Sequence, residues 1–364
     1  MNAPGRISVS DMPGTVWTVT GPVAASALGP TSPHEHIFIN IECWFNPPTH
    51  DDRAAAVSRV EAATEATVRA DPFAVRDNLI LDDLAVAIEE VGRFRAAGGR
   101  TLVDLTLDDI GRTPARLRTV SEATGVLVVM GCGHYIAAAH PPELRDRSPA
   151  AFRDEILFDL LVGPAGIRSG VIGEIGTSDP IDPVEARVLG GACAAQRETG
   201  RTLFVHLDPW GRAGHDVLDR CEEAGADLDR VVLSHLDPSL ADVAYIRSLA
   251  ARGAFVGIDI WGDEDAYGGR GMPSDASRTA AVLVAHEEGW ADRLLLAQDV
   301  CTKTQLHAFG GRGYDHLLTG VASDLRTAGL SVAEVDQLLV DNPRRALSGL
   351  PVAVSPWPLE GPHV

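Results

Sequence analysis

His34 and His36 stand two positions apart, directly before the apolar run Ile37-Phe38-Ile39. On an extended strand, residues two apart point to the same face, so both imidazoles can reach one metal ion. Four more residues able to bind a metal occur at or near the ends of separate strand-like segments: Glu174, His206, His235 and Asp299. One pair of strand histidines would say little, but this set of residues at matching positions predicts a metal centre.

Imidazole and carboxylate ligands suit zinc, our first choice, or manganese, iron, cobalt or nickel, and this set is too large for one tetrahedral ion. The expected division places His34, His36 and Asp299 on one ion, His206 and His235 on a second, and Glu174 between them as a bridge. Two such ions with a shared water or hydroxide lower the pKa of that water and polarise an incoming electrophile. Asp299 is expected to accept the proton of the attacking hydroxide, so Asp299 and Glu174 are the predicted catalytic residues.

Each of these residues also has a simpler interpretation. A lone His206 or His235 is more often a hydrogen-bonded histidine, and His34 and His36 would suit the capping of loop carbonyls. Glu174 lies in an apolar run, where an arginine partner would offset its burial. Asp299 would serve as a cap for the following loop or helix. The joint occurrence of the set favours the metal centre.

Short β-branched runs alternate with longer amphipathic segments after residue 90, as in a parallel sheet covered by helices on both faces. The strand candidates are Thr101–Thr106, Val126–Gly131, Gly170–Ile175, Thr202–His206, Arg230–His235, Ala254–Asp259 and Arg293–Gln298. The helical patterns include Leu81–Ala96, Val184–Glu198, Ala213–Glu223 and Ala241–Ala251. With the segment that carries His34, these make eight strands and favour an α/β fold of the (β/α)₈ TIM-barrel type, in which catalytic groups converge from the C-terminal strand ends.

An open doubly wound sheet would also fit the alternation, but no Gly-x-Gly-x-x-Gly motif opens the first strand–helix turn. The motif His-Leu-Asp-Pro occurs twice, at residues 206–209 and 235–238, an interval of about one βα unit. We expect one domain over residues 1–364, with the barrel over about 28–350. A β-hairpin over about 6–27 is expected before it, and the long stretch Cys43–Leu79 predicts a helical insertion over the barrel mouth.

The amino-acid composition limits the classes of partner that we expect the protein to bind. The chain has 364 residues, 45% hydrophobic content and a formal net charge of −20, which argues against binding nucleic acid through its phosphates. No apolar stretch is long enough to span a bilayer, and no apolar secretory signal is visible at the N-terminus. Five scattered cysteines contain no C-x-x-C pair. We therefore expect a cytoplasmic protein that acts on a small molecule, without nucleic-acid or membrane partners.

The sequence resembles the phosphotriesterase family of the amidohydrolase superfamily, and in particular its phosphotriesterase-related, resiniferatoxin-binding-type branch. The resemblance covers about residues 15 to 350 and is carried by Pro33-His34-Glu35-His36, Gly170-Val171-Ile172-Gly173-Glu174-Ile175-Gly176-Thr177-Ser178, Val205-His206, Ser234-His235, Asp299-Val300-Cys301-Thr302-Lys303, Gly310-Gly311-Arg312-Gly313-Tyr314-Asp315 and Asp341-Asn342-Pro343. It implies a (β/α)₈ barrel, two divalent metal ions and hydrolysis by a metal-bridging hydroxide. A homodimer is a further expectation from the resemblance.

The best-known members of this family carry a carboxylated lysine as the bridging ligand, whereas this chain has Gly173-Glu174 there, as the related branch does. The bridge is therefore expected to be an ordinary carboxylate that needs no bicarbonate. Lactone-hydrolysing relatives have a tyrosine after the third strand, which Tyr135 matches. They also have an arginine after the aspartate of the seventh strand, whereas Ile260-Trp261 follows Asp259 here.

Four residues are predicted to contact the substrate: Tyr135, Asp259, Trp261 and His134. For the reaction itself, attack on a carbonyl centre is expected, with a lactone or other carboxylic ester slightly ahead of an N-acyl amide and a phosphotriester third. The alternative from another class is a metal-containing protein that binds a small molecule with little turnover. The presence of Asp299 disfavours it, because such a protein has no reason to retain the proton acceptor.

Overall fold

The computed structural model describes residues 14–46, 59–61 and 64–348. In chain order, its strands are β1 (Thr15–Thr18), β2 (Gly21–Ala24), β3 (Thr31–Glu35), β4 (Ile39–Asn40), β5 (Ile80–Leu81), β6 (Thr101–Asp104), β7 (Leu127–Met130), β8 (Ile172–Gly176), β9 (Leu203–His206), β10 (Val231–Leu233), β11 (Phe255–Ile258), β12 (Ala266–Tyr267), β13 (Arg270–Gly271) and β14 (Leu294–Leu296). Strands β1 and β2 pair as an antiparallel hairpin. The hairpin therefore covers a shorter range than the predicted 6–27, of which residues 6–13 lie outside the described residues.

Eight parallel strands build the barrel in two arcs. One arc has the order β3-β6-β7, and the other has the order β8-β9-β10-β11-β14. Between β7 and β8, the backbone N–H groups of Gly170 and Gly173 donate to the carbonyls of Met130 and Cys132 at 2.8 and 2.7 Å. Each predicted strand is present at its expected place, and the TIM-barrel prediction is confirmed.

Alternate strand residues point into the barrel. On β9, Phe204 packs in the barrel interior with residues of the neighbouring strands, whereas Leu203 and Val205 pack against the surrounding helices. His206 stands two positions after Phe204 and therefore points inward at the strand end. The same period of two brings side chains from several strands to one end of the barrel axis.

Helices cover the outside of the barrel, and π-helical turns at Leu317–Val321 and Gln337–Asp341 lie among the last of them. The α-helices are Glu65–Ala70, Leu84–Ala96, Pro114–Thr124, Pro149–Leu161, Pro183–Thr199, Gly214–Glu223, Val243–Ala250, Asp275–Glu287, Ala322–Thr327, Val332–Asp336 and Asn342–Ser348. The helix predicted from Leu81 begins at Leu84 because Asp83 caps it: its carboxylate accepts hydrogen bonds from the N–H groups of Ala85 and Val86 at 2.8 and 3.1 Å. None of the helices in the described ranges is both long and apolar enough to cross a membrane.

Two excursions of the chain lie over the C-terminal end of the barrel. The described part of the stretch predicted as a helical insertion contains the helix Glu65–Ala70 and two 3₁₀ turns, and its residues 47–58 and 62–63 lie outside the described ranges. The second excursion follows β11 and contains the short hairpin β12–β13. Side chains from both excursions line a cavity at the barrel mouth, so loop insertions cover this face as predicted.

Candidate metal centre

Four histidines from three strand ends surround the carboxylate of Glu174. Nε2 of His34 lies 3.3 Å from Oε2 of Glu174, and Nε2 of His36 lies 3.4 Å from Oε1. From the other side, Nε2 of His235 and Nδ1 of His206 lie 3.1 and 3.4 Å from Oε2. The strand alternation that puts His34 and His36 on one face thus brings both rings to one carboxylate.

The possible ligand atoms of the described residues form three groups; one joins His34, His235 and Asp259, and the other two share Glu174. Of the two that share Glu174, the first contains His34 and His36, the second contains His206 and His235, and within each group the ligand atoms lie within 4.8 Å of one another. Asp299 joins the first group, with Oδ1 at 3.1 Å from Nε2 of His36 and 3.6 Å from Nε2 of His34. The structure thus brings together the residues of the predicted division, and their binding of two ions stays a prediction.

The donor set fits divalent cations. Nε2 of His34 and Nε2 of His206 are buried, and neither has a hydrogen-bond partner among the described residues. A buried polar atom of this kind costs free energy unless a ligand satisfies it. No Lys or Arg of the described ranges forms an ion pair with Glu174 or Asp299; their charged partners there are imidazoles.

The carboxylates favour positive charge at His34 and His36, whereas burial lowers the pKa of His206. Burial lowers the pKa of His34, but the charge of Glu174 and the hydrogen bond to Asp259 outweigh burial and raise that pKa to about 10. For His36, burial is outweighed by the hydrogen bonds to Asp299 and Glu174, which raise its pKa to about 9. Burial would raise the pKa of the Glu174 carboxyl, but the surrounding imidazoles hold that pKa well below its usual range. Glu174 is therefore ionised, as a ligand must be.

Asp259 supports the ligands from beneath and does not line the cavity. Its Oδ2 lies 3.1 Å from Nδ1 of His34, and its Oδ1 lies 3.2 Å from Nδ1 of His235. Each hydrogen bond fixes one ring nitrogen and leaves Nε2 to face Glu174. Burial opposes ionisation, but the imidazoles of His235 and His34 hold the pKa of Asp259 far below its usual range. The carboxylate therefore lies on the far side of the imidazole rings from the cavity, and its contact with a substrate stays a prediction.

Asp259→Asn should lower metal affinity by roughly 10–100-fold. The asparagine amide is uncharged and has one acceptor oxygen, so it cannot accept a hydrogen bond from each of the two imidazoles. Competition with a chelator, followed by elemental analysis, measures this affinity. Asp324→Asn removes the same charge from an exposed helix position and should leave the affinity unchanged. Equal affinities in Asp259→Asn and the unsubstituted protein would contradict this orienting role.

Glu35 is a site residue that the sequence reasoning missed. It stands between the two histidines of the motif, and its Oε1 and Oε2 accept the N–H groups of Gln298 and Val300 at 3.1 and 2.9 Å. These are the residues on either side of Asp299, whose own N–H donates to the carbonyl of His34 at 3.2 Å. The seam between β14 and β3 is thus closed by a side chain that holds the backbone of Asp299. A signal was present, since a carboxylate buried in a strand requires donors.

Asp299 is held in a left-handed backbone conformation with φ of 47°, and His235 has φ of 62°. Residues other than glycine rarely adopt this region, and the conformation costs of the order of 1–3 kcal/mol where it persists. Glu35 and the carbonyl of His34 supply hydrogen bonds that maintain it at Asp299. The conformation turns the Asp299 carboxylate from the end of β14 towards the histidines.

Glu35→Gln is expected to lower kcat roughly tenfold and stability by about 1–3 kcal/mol, because one buried N–H loses its acceptor and Asp299 loses its support. Metal content and KM should change little, which separates a misplaced Asp299 from a damaged metal centre. Ser32→Ala is the matched control: it removes the 2.5 Å hydrogen bond to Oε1 of Glu35 but leaves both acceptors next to Asp299. An equally large drop in kcat in Ser32→Ala would contradict the proposed support of Asp299 by Glu35.

The cavity at the barrel mouth opens onto this centre. Tyr135 lines it, as predicted for a substrate contact, and its hydroxyl lies 3.3 Å from Nδ1 of His206 and accepts a hydrogen bond from Nε1 of Trp44 at 3.3 Å. Burial raises the pKa of Tyr135 well above its usual value, so the hydroxyl keeps its proton. Apart from the metal-centre residues, the wall is largely apolar and aromatic: Ile39, Ile41, Trp44, Phe73, Pro209, Trp210, Ile260, Tyr267, Met272 and Cys301.

Two predicted substrate contacts lie elsewhere. Trp261 is buried in the packing between the barrel and its helices and does not line the cavity at the metal centre. His134 points away from that cavity as well, with its ring 5.4 Å from that of Phe152 and its nitrogens 3.6 and 3.4 Å from carboxylate oxygens of Asp109 and Glu155. Position after a strand does not determine which way a loop side chain turns, and the contact of either residue with a substrate stays a prediction.

A (β/α)₈ barrel with a histidine and carboxylate cluster for two cations at its C-terminal end defines a metal-dependent hydrolase. The sequence model of the phosphotriesterase family matches residues 14–347. The chain belongs to the phosphotriesterase family, whose enzymes depend on binuclear metal centres.

Relatives within the family are named for different activities or ligands. The chain is 35% identical to an N-acetyltaurine hydrolase of Tetraodon nigroviridis over 347 residues, 93% of this chain and 99% of that protein. A crystal structure of a resiniferatoxin-binding protein from Rhodobacter sphaeroides matches with a TM-score of 0.90 and 42% identity, over 92% of this chain and 95% of that one. A variant of a phosphotriesterase-like lactonase from Deinococcus radiodurans matches with a TM-score of 0.73 and 29% identity, over 92% of this chain and 100% of that one.

Proposed function

We propose that this protein hydrolyses a small N-acyl amide to a carboxylate and an amine. The observation that carries the proposal is the placement of Asp299, a carboxylate at the cavity surface that touches both histidines of one ligand group. Amide hydrolysis needs a proton delivered to the departing nitrogen, and a positioned carboxylate can supply it. The N-acetyltaurine hydrolases support an amide further, with 31–35% identity over 93% of this chain. Their support moves the amide ahead of the lactone or ester that the sequence favoured.

His34, His36 and Asp299 would hold one divalent ion, His206 and His235 the other, and Glu174 both. When bound, the ions supply a water of lowered pKa and polarise the acyl oxygen. Asp299 is the group among these ligands that reaches the cavity best, since its side chain is 15% exposed and that of Glu174 only 3%.

Water adds to the acyl carbon, and an oxygen of Asp299 accepts the proton that the water loses. Asp299 then gives this proton to the amide nitrogen as the carbon–nitrogen bond breaks, so that the products are an amine and a carboxylic acid, which ionises to the carboxylate. Tyr135, which keeps its proton, is placed beside His206 to donate a hydrogen bond to the substrate. Trp44 donates to the same hydroxyl and fixes its position.

A lactone is the second candidate, because Tyr135 occupies the cavity wall at the place where lactone-hydrolysing relatives have a tyrosine and a lactonase is among the similar structures. The residue that follows Asp259 argues against a lactone substrate. Ile260 lines the cavity there, and the arginine expected of lactone-hydrolysing relatives is absent from this position.

A panel of N-acetyl amides, γ- and δ-lactones and a phosphotriester, tested on protein loaded with zinc or manganese, distinguishes these functions. Amine release from the amides, measured by derivatisation, should give the highest kcat/KM of the panel. Elemental analysis should find about two transition-metal ions per chain. A higher kcat/KM for lactones would support the second candidate, and bound metal without turnover of any compound would support a binding protein.

A further inference from the structure

Four aromatic rings form a continuous series along the cavity wall next to the metal centre. Trp44 stacks on Phe73 with ring centroids 5.7 Å apart, and Phe73 meets Tyr267 edge-on at 4.8 Å. Tyr267 in turn lies 5.9 Å from Trp210. The electron-rich faces of such rings attract cations, and walls of this kind bind alkylated ammonium groups. The same rings also provide apolar contacts, so the wall alone does not decide the charge of the ligand.

Asp263 adds a negative charge to this wall. The residue is only 5% exposed and lines the same cavity. Its carboxylate accepts hydrogen bonds from the hydroxyl of Tyr267 and from the N–H of Asp265, the latter at 2.9 Å, with Nε2 of Gln305 at 3.5 Å. All of these donors are neutral, so the hydrogen bonds stabilise the charge without neutralising it.

The described cavity wall contains no Lys or Arg. The charge of Arg278 lowers the pKa of Asp263, but Arg278 donates to the backbone carbonyl of that residue, and its other donors bind the carboxylates of Asp237 and Asp275. Arg270 lies 5.5 Å over the ring of Trp210 and does not line the cavity. Burial raises the pKa of Asp263 to about 6, which leaves the carboxyl mainly ionised at neutral pH. A ligand cation would neutralise this charge.

We propose that the substrate carries an alkylated ammonium group, which packs against Trp210 and Tyr267 with Asp263 as its counter-charge. This inference rests on the proposed amide hydrolysis, because it places the cation on the amine arm or the acyl arm of an amide substrate. It separates this chain from the N-acetyltaurine hydrolases it resembles, because taurine carries a sulfonate. An anion on that arm would face the ionised Asp263 carboxylate across a wall of low polarity.

Binding of three probes of matched shape tests the charge without requiring hydrolysis. Choline, 3,3-dimethylbutan-1-ol and isethionate share a two-carbon alcohol and end in a cationic, a neutral and an anionic group. Calorimetric titration of the metal-loaded protein at fixed ionic strength should give choline at least a tenfold lower Kd than the neutral alcohol. Isethionate should bind most weakly. Equal or tighter binding of isethionate or the neutral alcohol would overturn the proposal.

Asp263→Asn should reduce the preference for choline over the neutral alcohol at least fivefold. Asp265→Asn is the matched control: it removes the same charge from the same loop, at a residue that does not line this cavity, and should leave the preference intact. An unchanged preference in Asp263→Asn, or an equal loss in Asp265→Asn, would refute the role of Asp263.

If Asp263→Asn does not fold, Trp210→Leu decides the matter, since Trp210 is half-buried at the cavity wall. The loss of this ring should weaken the binding of choline at least fivefold and the binding of the neutral alcohol less. Equal weakening of both would identify an apolar surface only and overturn the proposal.

Hydrolysis separates this inference from the proposed function. The acetamides of the three corresponding amines, ending in trimethylammonium, tert-butyl and sulfonate, should rank in kcat/KM as their alcohols rank in binding. Selective binding of choline with no turnover of any acetamide would refute amide hydrolysis and leave the cation site standing. Turnover fastest for the sulfonate would support amide hydrolysis and refute the cation site.

Discussion

Asp299→Asn is expected to lower kcat for the best substrate by roughly 10²–10⁴-fold while the protein remains folded. The asparagine side chain keeps the size and one acceptor oxygen of aspartate, but it cannot take up and return a proton at the pH of the reaction. The backbone around this residue is held by Glu35 and by the carbonyl of His34, and the substitution affects neither. The loss should therefore be chemical, and substrate binding should change much less than turnover.

The measurement has three parts: kcat and KM on the best substrate, metal content by elemental analysis, and the melting temperature. Asp324→Asn, an exposed helix residue outside the site, should keep all three values. If Asp299→Asn loses metal in proportion to activity, Asp299 acts mainly as a ligand. Full activity with normal metal content would remove Asp299 from the mechanism.

Much of the barrel was predictable because each strand is a short apolar run with a chemically distinctive residue at its end. Leu203 to Val205 alternate between the outside and the inside of the barrel, and the residue that follows, His206, inherits the inward direction. Parallel strands then bring such residues to one rim without any knowledge of the loops. The clustering of the predicted ligands depends on this regularity, and so it could be predicted from the sequence.

Sequence position is least informative for residues in loops after a strand and for residues whose depth in the barrel decides what they contact. Asp259 ends a strand like the ligands, but it lies beneath them and binds the far nitrogens of two imidazoles. Nothing in its sequence position distinguishes a carboxylate above the rings from one below. Trp261 and His134 follow strands in loops, whose direction depends on tertiary packing. Glu35 was overlooked because it alternates with the two histidines, and its role appears only when the barrel closes.

Glu174 is the proposed bridge between the two ions, and Glu174→Gln should reduce metal content from about two ions per chain to about one or fewer. Its two oxygens lie 3.1 to 3.4 Å from nitrogens of all four histidines, so it is the only described residue that both ligand groups share. A neutral amide binds divalent ions far less well than a carboxylate, and it would no longer offset two adjacent cations. Turnover should fall by roughly 10³-fold or more, as when an entire catalytic unit fails.

Elemental analysis before and after dialysis, together with kcat, measures both effects. Glu89→Gln, at a solvent-exposed helix position, is the matched control and should retain two ions. Retention of both ions by Glu174→Gln would contradict the bridge. The source of the bridging charge is tested by adding bicarbonate to the unsubstituted protein: a side-chain carboxylate needs no carboxylation, so metal content and turnover should not respond. A response to bicarbonate would mean that another group completes the bridge, because the ionised Glu174 is already present on the chain.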